Sequence, residues 1–154
     1  MDYITRYPSP IGPLTIRSDG SAIPGLWMEL SGEIRDDLPV FAAARNWLDR
    51  YFAGQAPDPR ELPLSPAGTA FQKRVWEALL QVPHGCTRSY GDIARAIGKP
   101  RACQAVGGAV GRNRIAIIIP CHRIIGADGS LTGFAGGLEM KRWLLNHEKG
   151  CDIL

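Results

Sequence analysis

A group of prolines between residues 55 and 68 constrains the fold of this 154-residue chain more than any other feature. Proline lacks a backbone donor and fixes φ, so this segment can form neither a long helix nor a central strand. Both flanking segments carry regular apolar patterns. We therefore predict a connecting segment here, between an N-terminal part (residues 1–66) and a C-terminal part (residues 67–154). The prolines are Pro57, Pro59, Pro63 and Pro66.

The N-terminal part contains three short β-like runs followed by one helical pattern. The runs Tyr3–Arg6, Leu14–Ser18 and Gly25–Glu29 are separated by turn-forming residues, which predicts a small antiparallel sheet. Between residues 40 and 52 apolar residues recur every three or four positions, and Gly54 follows as a stop. This spacing predicts one amphipathic helix.

The C-terminal part has the pattern of several short helices, so the whole chain is predicted to be an α/β (α+β) protein. Ser89 and Asp92 form the capping box of one helix, which Gly98 ends. Pro100 is well placed to open the next helix, which runs to Gly111. Two short helices joined in this way predict a helix-turn-helix, although an ordinary helical hairpin has the same spacing.

Positive charge is concentrated in the middle of the chain. Residues 71–125 hold nine Lys and Arg against two acids, a net charge of +7, whereas the whole chain carries +3. On charge alone, such a segment is either a solvated face or a binding surface for phosphates. Cations flank the predicted helix-turn-helix, which favours DNA as the partner. They are Arg88, Arg95, Lys99, Arg101, Arg112 and Arg114.

The second helix of this motif carries few long side chains. Either it packs closely against another helix, or it contacts a narrow groove of DNA in which sequence is read poorly. The pattern therefore indicates DNA binding without a choice of sequence. The small residues are Ala102, Ala105, Gly107, Gly108 and Ala109.

The candidate catalytic residues are Cys121 and His122. They follow Pro120 and the apolar run Ile115–Ile119, which predicts a short buried strand. A thiol in a cation-rich segment can acquire a lowered pKa and become a nucleophile. Since consecutive side chains of a strand point to opposite sides, His122 needs a water or a bend to act as its base. The alternative is an inert thiol and a surface histidine.

The four cysteines do not have the spacing of a structural zinc site, so we expect no metal. Cys86, Cys103 and Cys151 are assigned structural roles by default. The run Ile115–Ile119 is far shorter than the ~20 apolar residues that a membrane span needs. The first residues also lack the pattern of a signal peptide, and we expect a cytoplasmic protein with no membrane association.

The segment Ile117–Gly126 resembles the active-site signature of the O6-alkylguanine-DNA alkyltransferases, also called methylated-DNA–protein-cysteine methyltransferases. The resemblance is continuous from about residue 69 to residue 150, and Ser9–Leu14 is similar to the family's N-terminal portion. The other matching segments lie in the family's order and spacing. They are Phe71–Trp76, Ser89–Ala94, Ala105–Ala109, Asn113, Gly133–Leu138 and Trp143–Glu148.

The resemblance implies DNA repair by a protein that acts once. Cys121 would accept the alkyl group of O6-alkylguanine, or of O4-alkylthymine, from a base that has been flipped out of duplex DNA. Glu148, His122 and a bridging water would draw the proton from Cys121. Asn113 would support the turn that carries the nucleophile. Tyr90 would donate a hydrogen bond to the departing guanine and crowd the phosphate that rotates.

The resemblance also implies residues for the pocket and for DNA. Backbone groups of Cys121, Ile124 and Ala135, with the walls Val110 and Phe134, would shape the pocket. Gln104 stands where the family usually inserts an arginine into the gap left by the base, so we expect weaker extrusion. Phe134 replaces a common tyrosine. Further DNA or base contacts are expected from Arg101, Ala102, Ala105, Gly107, Arg112 and Arg123.

The expected partner is double-stranded DNA bearing alkylated guanine, with no cofactor, and the protein is expected to be a monomer, with cooperativity on DNA left open. Two other classes remain. A DNA-binding module without chemistry would lack the acceptor thiol, whereas Cys121 is present. A cysteine hydrolase that uses Cys121, His122 and Glu148 would turn over many times.

Overall fold

The structure is a computed structural model that describes residues 2–132, 134 and 137–149. These residues form two compact units. One contains the described residues up to Ala67 together with Arg114–Ala116, and the other contains Gly68–Asn113 and the described residues from Ile117 onward. The division at residues 66 and 67 stays a prediction, and it did not include the return of Arg114–Ala116 to the first unit. The predicted class, a small N-terminal sheet with a mostly helical C-terminal part, is confirmed.

The first unit is built on a four-stranded sheet in the order β3-β2-β1-β4. The three predicted runs form its antiparallel part, and the register pairs Tyr3 with Ser18. The fourth strand was not predicted, and it pairs parallel with β1, so the sheet is mixed rather than antiparallel. Its two residues are both exposed and show no apolar alternation. The strands are β1 (Tyr3–Ser9), β2 (Gly12–Ser18), β3 (Gly25–Trp27) and β4 (Glu33–Ile34).

The first helix, α1 (Pro39–Phe52), contacts β1 and β2. Trp47 and Tyr51 are buried and stacked, with ring centroids 5.7 Å apart. The Nε1 of Trp47 donates to the carbonyl of Asp58 at 2.9 Å, and Ile23 exchanges backbone hydrogen bonds with residues 63 and 65. The proline-containing segment is therefore fixed on the first unit.

Arg114–Ala116 extends the first unit beside β3. Leu26 donates to the carbonyl of Arg114 at 2.9 Å and accepts from the amide of Ala116 at 3.1 Å. Ile115 lies between these two bonds, forms a parallel bridge with Leu26 and is fully buried. Three residues from the far half of the sequence thus complete this unit.

The second unit contains four helices and a two-stranded parallel sheet among its described residues. Trp76 of α2 is buried and donates to the carbonyl of Ala109 in α4 at 2.8 Å. The predicted capping box of α3 is confirmed by reciprocal bonds between Ser89 and Asp92 of 3.0 and 2.9 Å. The elements are α2 (Ala70–Leu79), β5 (Arg88–Ser89), α3 (Tyr90–Ala96), α4 (Cys103–Gly111), β6 (Ile124–Ile125) and α5 (Leu138–Lys149).

Two local predictions are wrong. Pro100 lies in the turn, and α4 begins at Cys103, because the amide of Ala102 closes a turn onto the carbonyl of Lys99. The run Ile115–Ile119 is buried but is not a strand beyond the single bridge at Ile115. Ile117 has a φ of 71°, in the left-handed region that a β-branched residue rarely adopts, so the chain turns there.

No helix among residues 2–132 and 137–149 combines the length and the apolar composition that crossing a bilayer requires.

Candidate active site

Cys121 follows a tight turn that several hydrogen bonds hold in place. Pro120 has φ −81° and ψ 64°, and the amide of Cys121 donates to the carbonyl of Ile119 at 2.8 Å, which defines an inverse γ-turn. The side-chain amide of Asn113 donates to the same carbonyl at 2.9 Å. A 3₁₀ turn, Cys121–Arg123, follows at once. The bend that the sequence required between thiol and imidazole is therefore present.

Cys121 is 7% exposed as a whole residue, and burial of its thiol raises the thiol pKa. Four groups act in the opposite direction: a hydrogen bond from the Asn113 side chain, the charge of Lys141, and the backbone amides of Cys121 and His122. Each of these groups favours the thiolate, since each places positive charge or a donor near the sulfur. These fixed donors oppose the desolvation of the thiolate, but burial is the larger effect, and the pKa of Cys121 stays raised.

His122 and Glu148 form a buried pair. The Nε2 of His122 lies 2.5 Å from Oε2 of Glu148, and both side chains are almost completely buried. Burial lowers the pKa of His122 more than the charge of Glu148 raises it, so the imidazole is neutral. Its Nε2–H then donates to Glu148, and Nδ1 has no hydrogen-bond partner among the described residues. That nitrogen is available to accept a proton.

Glu148 is held ionised from several sides. The Nε of Arg123 donates to Oε1 at 2.7 Å, its Nη2 donates to Oε2 at 3.2 Å, and the amide of Gly85 adds a bond of 3.3 Å. Burial raises the pKa of Glu148, but the hydrogen bond from His122 and the hydrogen bonds and charge of Arg123 outweigh it, so the pKa lies well below its usual range. A further bond from Nη1 of Arg123 to the carbonyl of Val82, at 2.7 Å, fixes the guanidinium.

An open cavity of about 690 Å³ lies between α3, α4 and the loop after β6. Tyr90, Gln104 and Phe134 contribute side chains to it, whereas Cys121 is not among the described residues that line it. The hydroxyl of Thr132 donates to Oη of Tyr90 at 3.0 Å. The described lining consists of Ser89, Tyr90, Gly91, Cys103, Gln104, Gly107, Gly111, Ala127, Thr132 and Phe134.

One face of α4 is exposed and carries only short or uncharged side chains. Gln104, Ala105 and Gly108 are exposed on it, whereas Val106 and Val110 are buried on the opposite face. The exposed guanidinium-bearing residues Arg101 and Arg112 stand just before and just after the helix. The arrangement presents a thin helix with a cation at each end.

Comparison with known proteins decides the family. Residues 70–150 match the family described as "6-O-methylguanine DNA methyltransferase, DNA binding domain", and residues 3–66 match "6-O-methylguanine DNA methyltransferase, ribonuclease-like domain". A methylated-DNA–protein-cysteine methyltransferase of Haemophilus influenzae is 49% identical over 154 residues, which cover 96% of this chain and 86% of the relative. The chain belongs to the methylated-DNA–protein-cysteine methyltransferase family.

Solved structures of the family share this fold. The O6-methylguanine methyltransferase of Mycobacterium tuberculosis is 47% identical with a TM-score of 0.86, covering 97% of this chain and 94% of that one. A structure of the M. tuberculosis protein in complex with DNA has the same identity and TM-score, covering 96% and 93% of the two chains.

The predicted catalytic residues of this family member divide into two groups. The structure brings Cys121, His122, Glu148 and Asn113 together through the contacts described above. Tyr90 does not take part in these contacts; it lines the cavity, and its hydroxyl bonds to Thr132. Their roles in the reaction stay predictions.

The predicted DNA and pocket residues are more scattered. Gln104, Gly107 and Phe134 line the cavity, and Arg101, Ala105 and Arg112 are exposed, with Ala102 half-buried. Val110 and Ile124 are buried and absent from the described lining. Ala135 lies outside the described residues.

Arg123 corrects one expectation. It was predicted to contact DNA, but its guanidinium is buried and bonded to Glu148 and Val82. A phosphate cannot reach a cation that a buried carboxylate and a carbonyl already bind.

Cys103 corrects another expectation. A structural role was assigned to it by default, but the residue is exposed and lines the cavity. Cys86 is half-buried, and Cys151 lies outside the described residues.

Two residues near the site were missed. Lys141 is fully buried, and it shares one face of α5 with Leu144, Leu145 and Glu148. The sequence signal that could have revealed Lys141 is the presence of two charged residues, Lys141 and Glu148, on the otherwise apolar face of this helix. A buried charge is costly unless it has a partner, so such residues point to a site. Thr132 gave no signal, since its loop carries no periodic pattern. No cluster of His, Cys, Asp and Glu suited to a metal ion occurs in the described part of the chain.

Proposed function

We propose that this protein repairs alkylated DNA by moving the alkyl group from O6 of guanine, and from O4 of thymine, to Sγ of its own Cys121. The observation that carries the proposal is the buried hydrogen bond between Glu148 and His122. This bond uses Nε2 of His122, and Nδ1 has no hydrogen-bond partner among the described residues. His122 directly follows Cys121 in the sequence, and the chain belongs to the family. Family membership supplies the reaction class, and the geometry supplies the base.

The proton of Cys121 would pass to Nδ1 of His122 through a water molecule. Glu148 stabilises the imidazolium that forms, and Arg123 keeps that carboxylate ionised. The thiolate then attacks the alkyl carbon, an S–C bond forms, and the C–O6 bond breaks with its electron pair going to the guanine. The thioether has no route back to a thiol here, so each molecule acts once.

The lesion would have to leave the base stack. O6 of guanine lies inside the duplex, and Cys121 is a buried residue, so O6 and the sulfur meet only if the nucleotide is extruded. Tyr90 would donate its hydroxyl hydrogen bond to the departing base, and Phe134 would stack on it. Gln104 would fill the gap in the duplex without adding charge.

The exposed face of α4 would contact the minor groove. Ala105 and Gly108 allow a close approach, and Arg101 and Arg112 would bind the phosphates on either side. We propose one monomer per lesion, and sedimentation with duplexes of increasing length tests whether further copies bind cooperatively.

The test is intact-mass analysis after incubation with a duplex that contains one O6-methylguanine. The expected result is a gain of one methyl group per protein, mapped to the peptide of Cys121 and absent in Cys121→Ser. Cys103→Ser is the matched control, because Cys103 is the exposed thiol at the cavity. A duplex with O4-methylthymine tests the second substrate in the same way.

The same experiment separates the alternatives. Removal of methyl groups in excess of protein would identify a hydrolase, and tight binding with no mass change would identify a binding module. Either result overturns the proposal. Tyr90→Phe should slow transfer with an unchanged melting temperature, and an unchanged rate would remove the role of its hydroxyl.

A further inference from the structure

Thr132 makes three hydrogen bonds that link Tyr90, at the cavity, to Lys141 on α5. Its hydroxyl donates to Oη of Tyr90 at 3.0 Å, and its carbonyl accepts from Tyr90 at 3.4 Å. The same carbonyl accepts from Nζ of Lys141 at 2.6 Å. One loop residue therefore holds both the phenol that lines the cavity and a cation that acts on Cys121.

Lys141 is unusual because it is a fully buried ammonium. No carboxylate among the described residues pairs with it, and its bond to Thr132 is to a neutral carbonyl. Burial lowers its pKa to about 8, and the interaction that opposes this shift is the charge of Cys121. α5 packs against the turn that carries Cys121, so the thiolate becomes a counter-ion for the buried ammonium when Cys121 ionises.

The loop that carries Thr132 is itself well ordered by hydrogen bonds. Asp128 accepts from the amide of Ser130 at 3.0 Å and from its hydroxyl at 2.6 Å. The amide of Gly126 donates to the carbonyl of Ser130 at 2.8 Å, which closes the turn after β6. Residues 126–130 thus form a fixed base from which Thr132 reaches Tyr90 and Lys141.

We propose that Thr132 is a positioning residue for the transfer reaction. Through its hydrogen bonds it holds both the Tyr90 hydroxyl, which would contact the flipped guanine, and the Lys141 ammonium, which would stabilise the Cys121 thiolate. The proposal rests on the function proposed above. A guanine that bonds to Tyr90 in the cavity is therefore positioned by the same loop residue that orients Lys141. Loss of the Thr132 hydroxyl removes the shorter of the two bonds that hold Tyr90, whereas loss of the Lys141 charge destabilises the Cys121 thiolate.

The first arm of the test uses Thr132→Val, which removes the hydroxyl and keeps the carbonyl, with Thr132→Ser as the conservative rescue. Single-turnover transfer from an O6-methylguanine duplex is measured across protein concentrations, which separates the saturating rate from the apparent Kd. We expect Thr132→Val to lower the saturating rate roughly 3- to 10-fold, the range for one lost hydrogen bond, and Thr132→Ser to recover most of it.

The second arm needs no DNA. The pH dependence of Cys121 modification by iodoacetamide is followed by peptide mass in the full chain and in Lys141→Met. The midpoint should rise by about one pH unit in the variant, a roughly tenfold loss of thiolate at neutral pH. Among the described residues, the turn of Cys121 also carries His122 and Arg123, and the α5 helix packed against it carries Glu148, which bonds to both; all three stay in the variant. The charged residues of α2 are exposed: Lys73, Arg74 and Glu77.

Three results decide the matter. A wild-type saturating rate in Thr132→Val, or an unchanged iodoacetamide midpoint in Lys141→Met, overturns the proposal. Thr132→Val should also leave the iodoacetamide midpoint unchanged, since the carbonyl that binds Lys141 remains, and a shift there would show a general structural role instead. If the unaltered protein fails to take up methyl groups, the function proposed above has failed, and the iodoacetamide arm still tests the pairing of Lys141 with Cys121.

Discussion

Replacement of Arg123 by methionine tests whether the Arg123 guanidinium stabilises the fold or binds DNA. The guanidinium makes two bonds to Glu148 and one to the carbonyl of Val82, all buried. Removing one partner of a buried ion pair leaves an uncompensated charge, which costs about 3–5 kcal/mol. For a chain of this size each kcal/mol lowers the melting temperature by about 2–4 °C, so we expect a loss of roughly 6–20 °C.

Thermal and urea unfolding, followed by fluorescence and circular dichroism, measure this loss. Arg112→Met is the matched control, because Arg112 is exposed at the end of α4. It should change stability by less than about 0.5 kcal/mol, while lowering affinity for undamaged duplex and reducing the salt slope by about 1. The double variant Arg123→Met/Glu148→Gln should regain part of the lost stability, since it also removes the stranded carboxylate charge.

The reasoning fails if Arg123→Met unfolds at the same temperature as the unaltered protein. A reduced salt slope for DNA binding in that variant, without loss of stability, would show that the guanidinium leaves Glu148 and binds phosphate.

Three further predictions concern packing, pH and DNA. Trp76→Phe should destabilise the protein by about 2–3 kcal/mol, because it shrinks a buried side chain and removes one of the two hydrogen bonds that the carbonyl of Ala109 accepts, and a loss under about 0.5 kcal/mol in urea unfolding would contradict this. The free energy of unfolding should decrease in two stages as the pH is lowered, because the pKa values of His122 and Glu148 are lower in the folded state than in the unfolded state. The stabilisation from His122 is complete above about pH 6.5 and is lost as the pH falls below that value. The stabilisation from Glu148 is complete above about pH 4.3 and is lost in the same way. Urea midpoints from pH 7.5 down to 4 check this, and His122→Gln should flatten the upper stage. Gln104→Arg should steepen the salt dependence of DNA binding by about 1, and an unchanged slope would mean that this side chain does not reach a phosphate.

Local patterns predicted the regular elements of this chain well. The reciprocal bonds of Ser89 and Asp92 follow directly from a capping sequence, and α1 follows from apolar spacing. Strand β4 could not be predicted in this way, because its two exposed residues are positioned by pairing with β1 alone. The same holds for Ile117, whose left-handed conformation contradicts its own preference and is imposed by the surrounding fold.

The candidate site was predicted as a set of residue types but not as an arrangement of charges. Cys121 and His122 stand out in the sequence, and their neighbourhood is rich in cations. A cation-rich segment is normally a surface, so Arg123 was assigned to DNA, although tertiary pairing with Glu148 buries it. Lys141 lies twenty residues beyond Cys121, and only the packing of α5 against the 3₁₀ turn brings its charge to the sulfur.

The return of Arg114–Ala116 to the first unit affects how this chain responds to proteolysis. A protease that cleaves between Ala67 and Gly68 would yield two pieces that remain associated, because Ile115 on the downstream piece is still paired with Leu26 on the upstream one. A fragment that begins at Gly68 would instead carry Ile115 and Ala116 as unmatched apolar residues. Expression of a fragment that begins at Gly68 therefore calls for polar replacements at both positions.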